Sequence, residues 1–206
     1  MMTKQYLFAN WNYPTQVRFG IGRISEICDA CSALNIERPL VVTDTGLANS
    51  EIIKNLTELI EAGDLEMGLF SNVQGNPVGK NIIEGAHVYL DGLHDGVIAI
   101  GGGSAMDAGK VIAMYQGQTN KLFDLHVKVD GGTRINPDKI APIIAVPTTA
   151  GTGSETGRAG LITDEEVKIK RIFAHPKMMP GIVIEDPKLS AGLPPNLTAW
   201  TGIDAL

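Results

Sequence analysis

Three stretches of this chain carry residue types that could hold a phosphorylated ligand. The first is Gly101-Gly102-Gly103-Ser104-Ala105-Met106-Asp107, directly behind the apolar run Val97-Ile98-Ala99-Ile100. Glycines permit a tight turn and a close backbone approach, and a helix starting behind them offers unpaired N–H groups and a partial positive charge. Ser104 is placed to cap that helix, and Asp107 falls in its first turn. The second stretch, Pro147-Thr148-Thr149-Ala150-Gly151-Thr152-Gly153-Ser154-Glu155, can wrap a nucleotide and offer several hydroxyl donors at once. The third is Asp44, which closes an apolar run from position 39 and could accept hydrogen bonds from a ribose diol. Singly, each has a plainer reading: a glycine-rich turn, a set of local side-chain–backbone turns, a solvated carboxylate. Jointly they point to a nucleotide cofactor.

The glycine turn matches neither common phosphate fingerprint. The dinucleotide pattern needs a third glycine where Met106 stands. The P-loop pattern needs a glycine where Ser104 stands and a magnesium-binding hydroxyl where Val111 stands. A kinase or transferase using 101–110 as a loose P-loop is thereby disfavoured.

The elements that must position these residues alternate in type. Residues 39–44, 65–70, 97–100 and 142–146 read as strands, and 23–34, 52–62, 78–90 and 104–114 as helices. In 52–62 the apolar Ile53, Leu56 and Ile60 recur at helical spacing. Such alternation predicts an α/β fold, a Rossmann-like parallel sheet with helices on both faces and ligands at the carboxyl ends of its strands. Residues 116–140 are polar and rich in Gly, Asp and Lys, and read as a long surface connection.

Bulk properties narrow the function. The 206 residues are 44% hydrophobic and 19% charged, ordinary for a globular protein able to bury a core. A net charge of −6 favours neither nucleic acid nor an anionic membrane surface. No apolar run approaches the roughly 20 residues of a membrane span. Met1-Met2-Thr3-Lys4-Gln5-Tyr6 lacks an apolar signal core, so a cytoplasmic location is expected. Cys28 and Cys31 form a C-x-x-C pair, but no second pair accompanies it for zinc. Both read as ordinary reduced residues of the 23–34 helix.

The glycine and threonine stretches, with Gly192-Leu193-Pro194-Pro195 and Thr201-Gly202-Ile203-Asp204-Ala205-Leu206, closely resemble the iron-containing (group III) alcohol dehydrogenases. Tyr13-Pro14, Val17-Arg18-Phe19-Gly20 and Asn76-Pro77 fit as well, so the resemblance runs nearly the whole chain. Dehydroquinate synthase and glycerol dehydrogenase share the broader fold, but the threonine loop and the segment around Asp204 favour the alcohol dehydrogenases. The resemblance implies an NAD(P)-binding α/β domain over 1–187 and, from 188, the start of an all-helical metal-binding domain. It implies hydride transfer between a small-molecule alcohol and its aldehyde or ketone, a divalent metal (Fe2+ in this family), and a homo-oligomer in the full-length form. Gly101, Gly102, Gly103 and Ser104 would hold the pyrophosphate, with Asp107 anchoring that turn. Thr148, Thr149 and Thr152 would line the nucleotide site, Asp44 would sit by the adenosine ribose, and Asn76 near the adenine. Lys170 would lie near the nicotinamide half, although Lys168 competes for that role by strand alternation. Leu189 would make an apolar contact over the cofactor, and Asp204 would be the first metal ligand. A carboxylate at Asp44 accepts from a free 2′-hydroxyl and repels a 2′-phosphate, which favours NAD over NADP.

In this family the aspartate opens an Asp-x-x-x-His pair, and this chain ends at Leu206, two residues before the histidine. His87, His94, His126 and His175 match no ligand position and read as surface or structural residues. Pro194-Pro195-Asn196 starts a helix whose apolar stripe, Leu197, Trp200 and Ile203, is cut off in mid-course and is expected to be exposed. The chain thus reads as an N-terminal piece of a longer protein. A lone carboxylate leaves most positions on a metal unfilled, so negligible turnover is expected of this chain alone. Two readings stand: an NAD-linked, metal-dependent alcohol dehydrogenase represented by its cofactor portion, and a non-catalytic NAD-binding module that lacks the metal-binding domain.

Overall fold

A computed structural model describes residues 8–12 and 15–206, with side chains from residue 15 onward except that of Asp130. Met1–Tyr6 and the Tyr13-Pro14 pair lie outside the described residues. The strands are β1 (Phe8–Asn12), β2 (Gln16–Gly20), β3 (Pro39–Asp44), β4 (Gly68–Val73), β5 (Gly96–Gly101), β6 (Ile143–Pro147), β7 (Ala159–Asp164), β8 (Ile169–Ala174) and β9 (Ile182–Glu185). Seven of them form one sheet in the order β1-β2-β9-β6-β5-β3-β4, and β7 and β8 pair separately as an antiparallel hairpin. Within the sheet every neighbouring pair is parallel except β1 with β2.

The central strands are apolar at every position because both of their faces are covered. Val41, Ile98, Ile100, Ile144 and Val146 pack against α1 (Ile27–Ala33) and α2 (Glu51–Ala62). The alternate residues Leu40, Val42, Val97, Ala99, Ile143 and Ala145 pack against α3 (Gly79–Asp91) and α4 (Gly103–Tyr115). In α2 the expected stripe Ile53, Leu56 and Ile60 is buried, and Ser50 caps the helix by accepting from the Ile53 amide. From β3 the chain passes outward to β4, then crosses back to lay β5 on the other side of β3. The strand order therefore reverses between β3 and β5, and a crevice opens at their carboxyl ends. The expected doubly wound sheet is present, and no helix among the described residues is long and apolar enough to cross a membrane.

Two expectations need correction. Strand β4 lies at 68–73 rather than 65–70, because its register is set by pairing Val42 with Phe70 and Asp44 with Val73. Leu65 and Met67 instead pack as connector residues against the α1–α2 face. Residues 116–140 are also more than a surface connection. They hold short helical turns, including α5 (Val127–Asp130), and bury Leu122, Leu125 and Ile135 in the core. The Gln118 amide staples this segment to itself by bonding Asn136 through both its oxygen and its nitrogen.

The hairpin lies on α4. Val111 reaches so close to Gly160 that a Cβ there would stand 2.6 Å from its side chain. Phe173 is fully buried, with its ring centroid 6.1 Å from that of Phe123. Phe173→Ala should therefore cost about 3–5 kcal/mol, read as a lower denaturant midpoint. An unchanged midpoint would mean that the hairpin is not part of the cooperative core.

Candidate functional site

The site grows out of the passage from β5 into α4. Gly101 has φ 142°, a backbone conformation that L side chains rarely adopt. A Cβ there would also meet the Ala105 methyl at 2.7 Å and the Asp44 carboxylate at 3.1 Å. The chain turns so sharply at Gly101 that the helix begins at Gly103, with extended Gly102 as its N-cap and no capping side chain. Ser104 is thus inside the first turn, not the cap, and its hydroxyl accepts from the Asn76 amide at 3.3 Å. The first-turn N–H groups of α4 are oriented along the helix toward the crevice.

Two neighbouring strand ends supply the walls. The Asp44 Oδ1 accepts from the amides of Gly46 and Leu47 at 2.9 and 3.1 Å, which fixes the carboxylate at the end of β3. Its Oδ2 lies on the Gly101 side. From β6, the Thr148 amide donates to the Gly101 carbonyl at 3.0 Å and ties the threonine loop to the glycine turn. Thr152 packs directly on Gly103, and the Thr149 hydroxyl sits 3.4 Å from where a Gly102 Cβ would be. That hydroxyl is buried and has no hydrogen-bond partner among the described residues. At Gly151, with φ 97°, the loop abuts α6 (Pro195–Asp204): a Cβ there would lie 2.5 Å from the Thr201 carbonyl and 3.1 Å from Asp204 Oδ2.

These elements enclose a cleft of about 670 Å3. Of the residues singled out from sequence, Asp44, Gly102, Gly103, Ser104, Thr148, Thr149, Thr152 and Leu189 line it, while Gly101 lies beneath and shapes the turn. Asn76, Asp107 and Lys170 line an adjoining cavity of about 360 Å3 that shares Gly103, Ser104 and Thr152 with the cleft. Lys168 stands apart in the hairpin turn with φ 56°, so strand alternation does not apply to it. Asp107 secures a different segment from the one expected. Its oxygens accept from the Ser154 hydroxyl at 2.6 Å, at the far end of the threonine loop, and from the Leu161 amide at 3.0 Å, beyond it.

Sequence reading missed Thr45, Gly46 and Leu47, which line the cleft just beyond Asp44, and Leu197 and Thr201, which close it from α6. Position immediately after a strand end was the available signal for the first group. Lys110 was also missed as a structural residue. Its ammonium donates to the carbonyls of Ser154 and Ala159, so it is committed to the protein's own backbone rather than to a P-loop phosphate. Burial lowers the Lys110 pKa, and the adjacent Asp107 opposes that shift.

Asp204 packs on Gly151, and among the described residues no three His, Cys, Asp or Glu side chains converge as a metal would need. His94 bonds the Arg38 carbonyl, His126 and His175 accept from amides two residues on, and His87 is exposed. Cys28 and Cys31 are free thiols, and burial pushes the Cys31 thiol up to about 12. Trp200 and Ile203 are 63% and 70% exposed, as the interrupted stripe implied.

Fold and crevice define a doubly wound α/β domain with a glycine turn and a hydroxyl-rich loop at its topological switch point. The family model for iron-containing alcohol dehydrogenase matches residues 14–187. Choline dehydrogenase of Bacillus subtilis (strain 168) is 35% identical over 199 residues, covering 97% of this chain and 49% of that protein. The crystal structure of a 1,3-propanediol oxidoreductase superimposes with a TM-score of 0.85 at 32% identity, covering 98% of this chain and 50% of that one. Sulfoacetaldehyde reductase from Bifidobacterium kashiwanohense, solved in complex with NAD+, gives 0.83 at 32% identity, covering 98% and 51%. The chain belongs to the iron-containing alcohol dehydrogenase family. It spans about half the length of the curated relatives it matches.

A side chain at Gly101 conflicts with both the backbone and its neighbours. Gly101→Ala should destabilise the chain by about 1–3 kcal/mol, measured by chemical denaturation. A variant as stable as the parent would show that the turn tolerates ordinary backbone geometry.

Proposed function

We propose that this chain is the cofactor-binding part of an NAD-linked, metal-dependent alcohol dehydrogenase that interconverts a small-molecule alcohol with its aldehyde or ketone. The observation that carries the reading is the buried, unpartnered Thr149 hydroxyl facing a cleft floored by Gly102 and Gly103. A bare backbone floor at a helix start suits a pyrophosphate, and a desolvated hydroxyl beside it is a donor awaiting an acceptor. A dinucleotide therefore fits the residues present. Gly102, Gly103 and Ser104 would hold its pyrophosphate, with Thr148, Thr149 and Thr152 along one wall and Leu189 packing over it. Asp44 would receive the adenosine ribose within the cleft, and Lys170, which shares the adjoining cavity with Asn76, would reach the nicotinamide half. When bound, such a cofactor supplies two-electron redox chemistry; the chain supplies binding, orientation and a covered cleft.

Asp44 supports NAD over NADP. Its carboxylate is pinned by two amides, so it cannot swing away from a 2′-phosphate without giving up both bonds. The family's divalent metal is a different matter. Asp204 alone does not fit the ligand set of any metal, so no step is assigned through one. We place the cofactor domain at 1–187 and the start of a helical, metal-binding unit at 188–206. The exposed Trp200 and Ile203 on α6 support that division. A cytoplasmic homo-oligomer completes the proposal, by the likeness to the family.

Calorimetric titration with NAD+ and NADP+ tests the reading. Gly102 has extended backbone geometry and only ordinary contacts around its Cβ position, so Gly102→Val should fold normally while filling the cleft. NAD+ affinity should fall at least about tenfold in that variant. Asp44→Asn keeps an oxygen for the turn and removes the charge, and should narrow the preference for NAD+ over NADP+ by about tenfold. A folded parent chain that binds neither dinucleotide would overturn the proposal.

A further inference from the structure

Lys110 lies on α4, two turns behind the glycine turn, and is only 1% exposed. Its ammonium donates to the carbonyl oxygens of Ser154 at 2.9 Å, of Gly157 at 3.4 Å and of Ala159, and it stands 3.3 Å from Asp107 Oδ1. Three carbonyls and a carboxylate converging on one point form the oxygen cage that a hard cation normally occupies. Here the cation is carried in on a four-carbon tether. Asp107, one turn earlier, takes the opposite polarity of the same segment by accepting from the Ser154 hydroxyl and the Leu161 amide. One face of α4 thus satisfies both the acceptors and the donors of residues 154–161.

The consequence reaches the cleft. Thr152, two residues before Ser154, packs on Gly103 at the start of α4, and β7 begins at Ala159, whose carbonyl Lys110 holds. Lys170 on β8 is paired across the hairpin with Thr163 and moves with it. Without the ammonium, three partly buried carbonyl dipoles would face one another and the Asp107 carboxylate with no cation between them, a costly arrangement. Packing by the methylenes alone would not relieve it.

We infer that Lys110 is a positioning residue whose ammonium acts as a tethered cation, holding residues 154–161 so that Thr152 and Lys170 keep their places beside the cofactor cleft. The cage that the side chain fills is a binding site for an ammonium-sized cation. The effect on cofactor binding rests on the dinucleotide reading above; the cage itself does not.

The test uses the 206-residue chain with Lys110→Ala, which vacates the cage, and Lys110→Met, which fills it with a neutral side chain. Two quantities are read: amide hydrogen-exchange protection over 154–161, and the Kd for NAD+. Both variants should lose protection there and bind NAD+ at least about tenfold more weakly. Ammonium or ethylammonium chloride should restore protection and affinity in Lys110→Ala but not in Lys110→Met. Tetramethylammonium chloride at the same concentration, too large for the cage, should restore neither. Parent-like protection and affinity in Lys110→Ala, or equal restoration by tetramethylammonium, overturns the inference. Loss and rescue of protection in a chain whose parent binds no NAD+ would support the cage and refute the cofactor reading alone. If neither variant folds, the Lys110 Nζ protons of the parent decide the matter. A slowly exchanging ammonium resonance at neutral pH supports the tethered cation, and exchange as fast as that of a free lysine contradicts it.

Discussion

Strand β5 is buried on both faces and has to reverse into α4 directly above the ends of β3 and β6. The turn at Gly101 is what permits this. At φ 142°, with the Ala105 methyl and the Asp44 carboxylate against the position a Cβ would take, an L side chain there is strained. The carbonyl of that same residue accepts from the Thr148 amide, so the glycine turn and the threonine loop share one fixed point. With that point set, α4 starts at Gly103 aimed into the crevice, Thr152 closes on it, and Asp44 stands beside it. The cleft is therefore less a set of separate loops than one backbone reversal with its neighbours folded around it.

Charge then fixes what the backbone leaves loose. A hydroxyl-rich loop of small residues has little apolar surface with which to hold itself. Here its far end is held by Asp107 and Lys110, three residues apart on α4, each bonding groups of opposite polarity in the same strand of chain. Because both charges are largely buried and paired, solvent competes poorly for them. A rigid helix face in this way extends its order to a segment that propensity alone would leave mobile.

Much of this was legible in the residues. Continuous Val and Ile runs announced strands covered on both faces, and Asp44, Gly101 and the threonines fell at strand ends, where the crevice of a doubly wound sheet lies. What escaped detection depended on distant partners. Lys110 reads as an ordinary helical lysine until the carbonyls 44 and 49 residues away are brought to it. Strand β4 was displaced because Ser71 and Asn72, polar residues of an outer strand, hide its apolar pattern, and pairing with β3 decides its register. The β7–β8 hairpin has no glycine in its turn; Lys168 adopts the left-handed conformation instead, so the usual turn signal was missing. The polar run at 116–140 buries Leu122, Leu125 and Ile135, three apolar residues too sparse to show a period.

On the proposed reading, the floor of this cleft is a pyrophosphate cradle. Backbone amide chemical shifts, followed as NAD+ is added to the isotope-labelled chain, test it most directly. The largest shifts are expected at Gly102, Gly103 and Ser104, with smaller ones at Thr148, Thr149 and Thr152. Shifts confined to other parts of the surface, or none at all in a folded chain at millimolar NAD+, would contradict it.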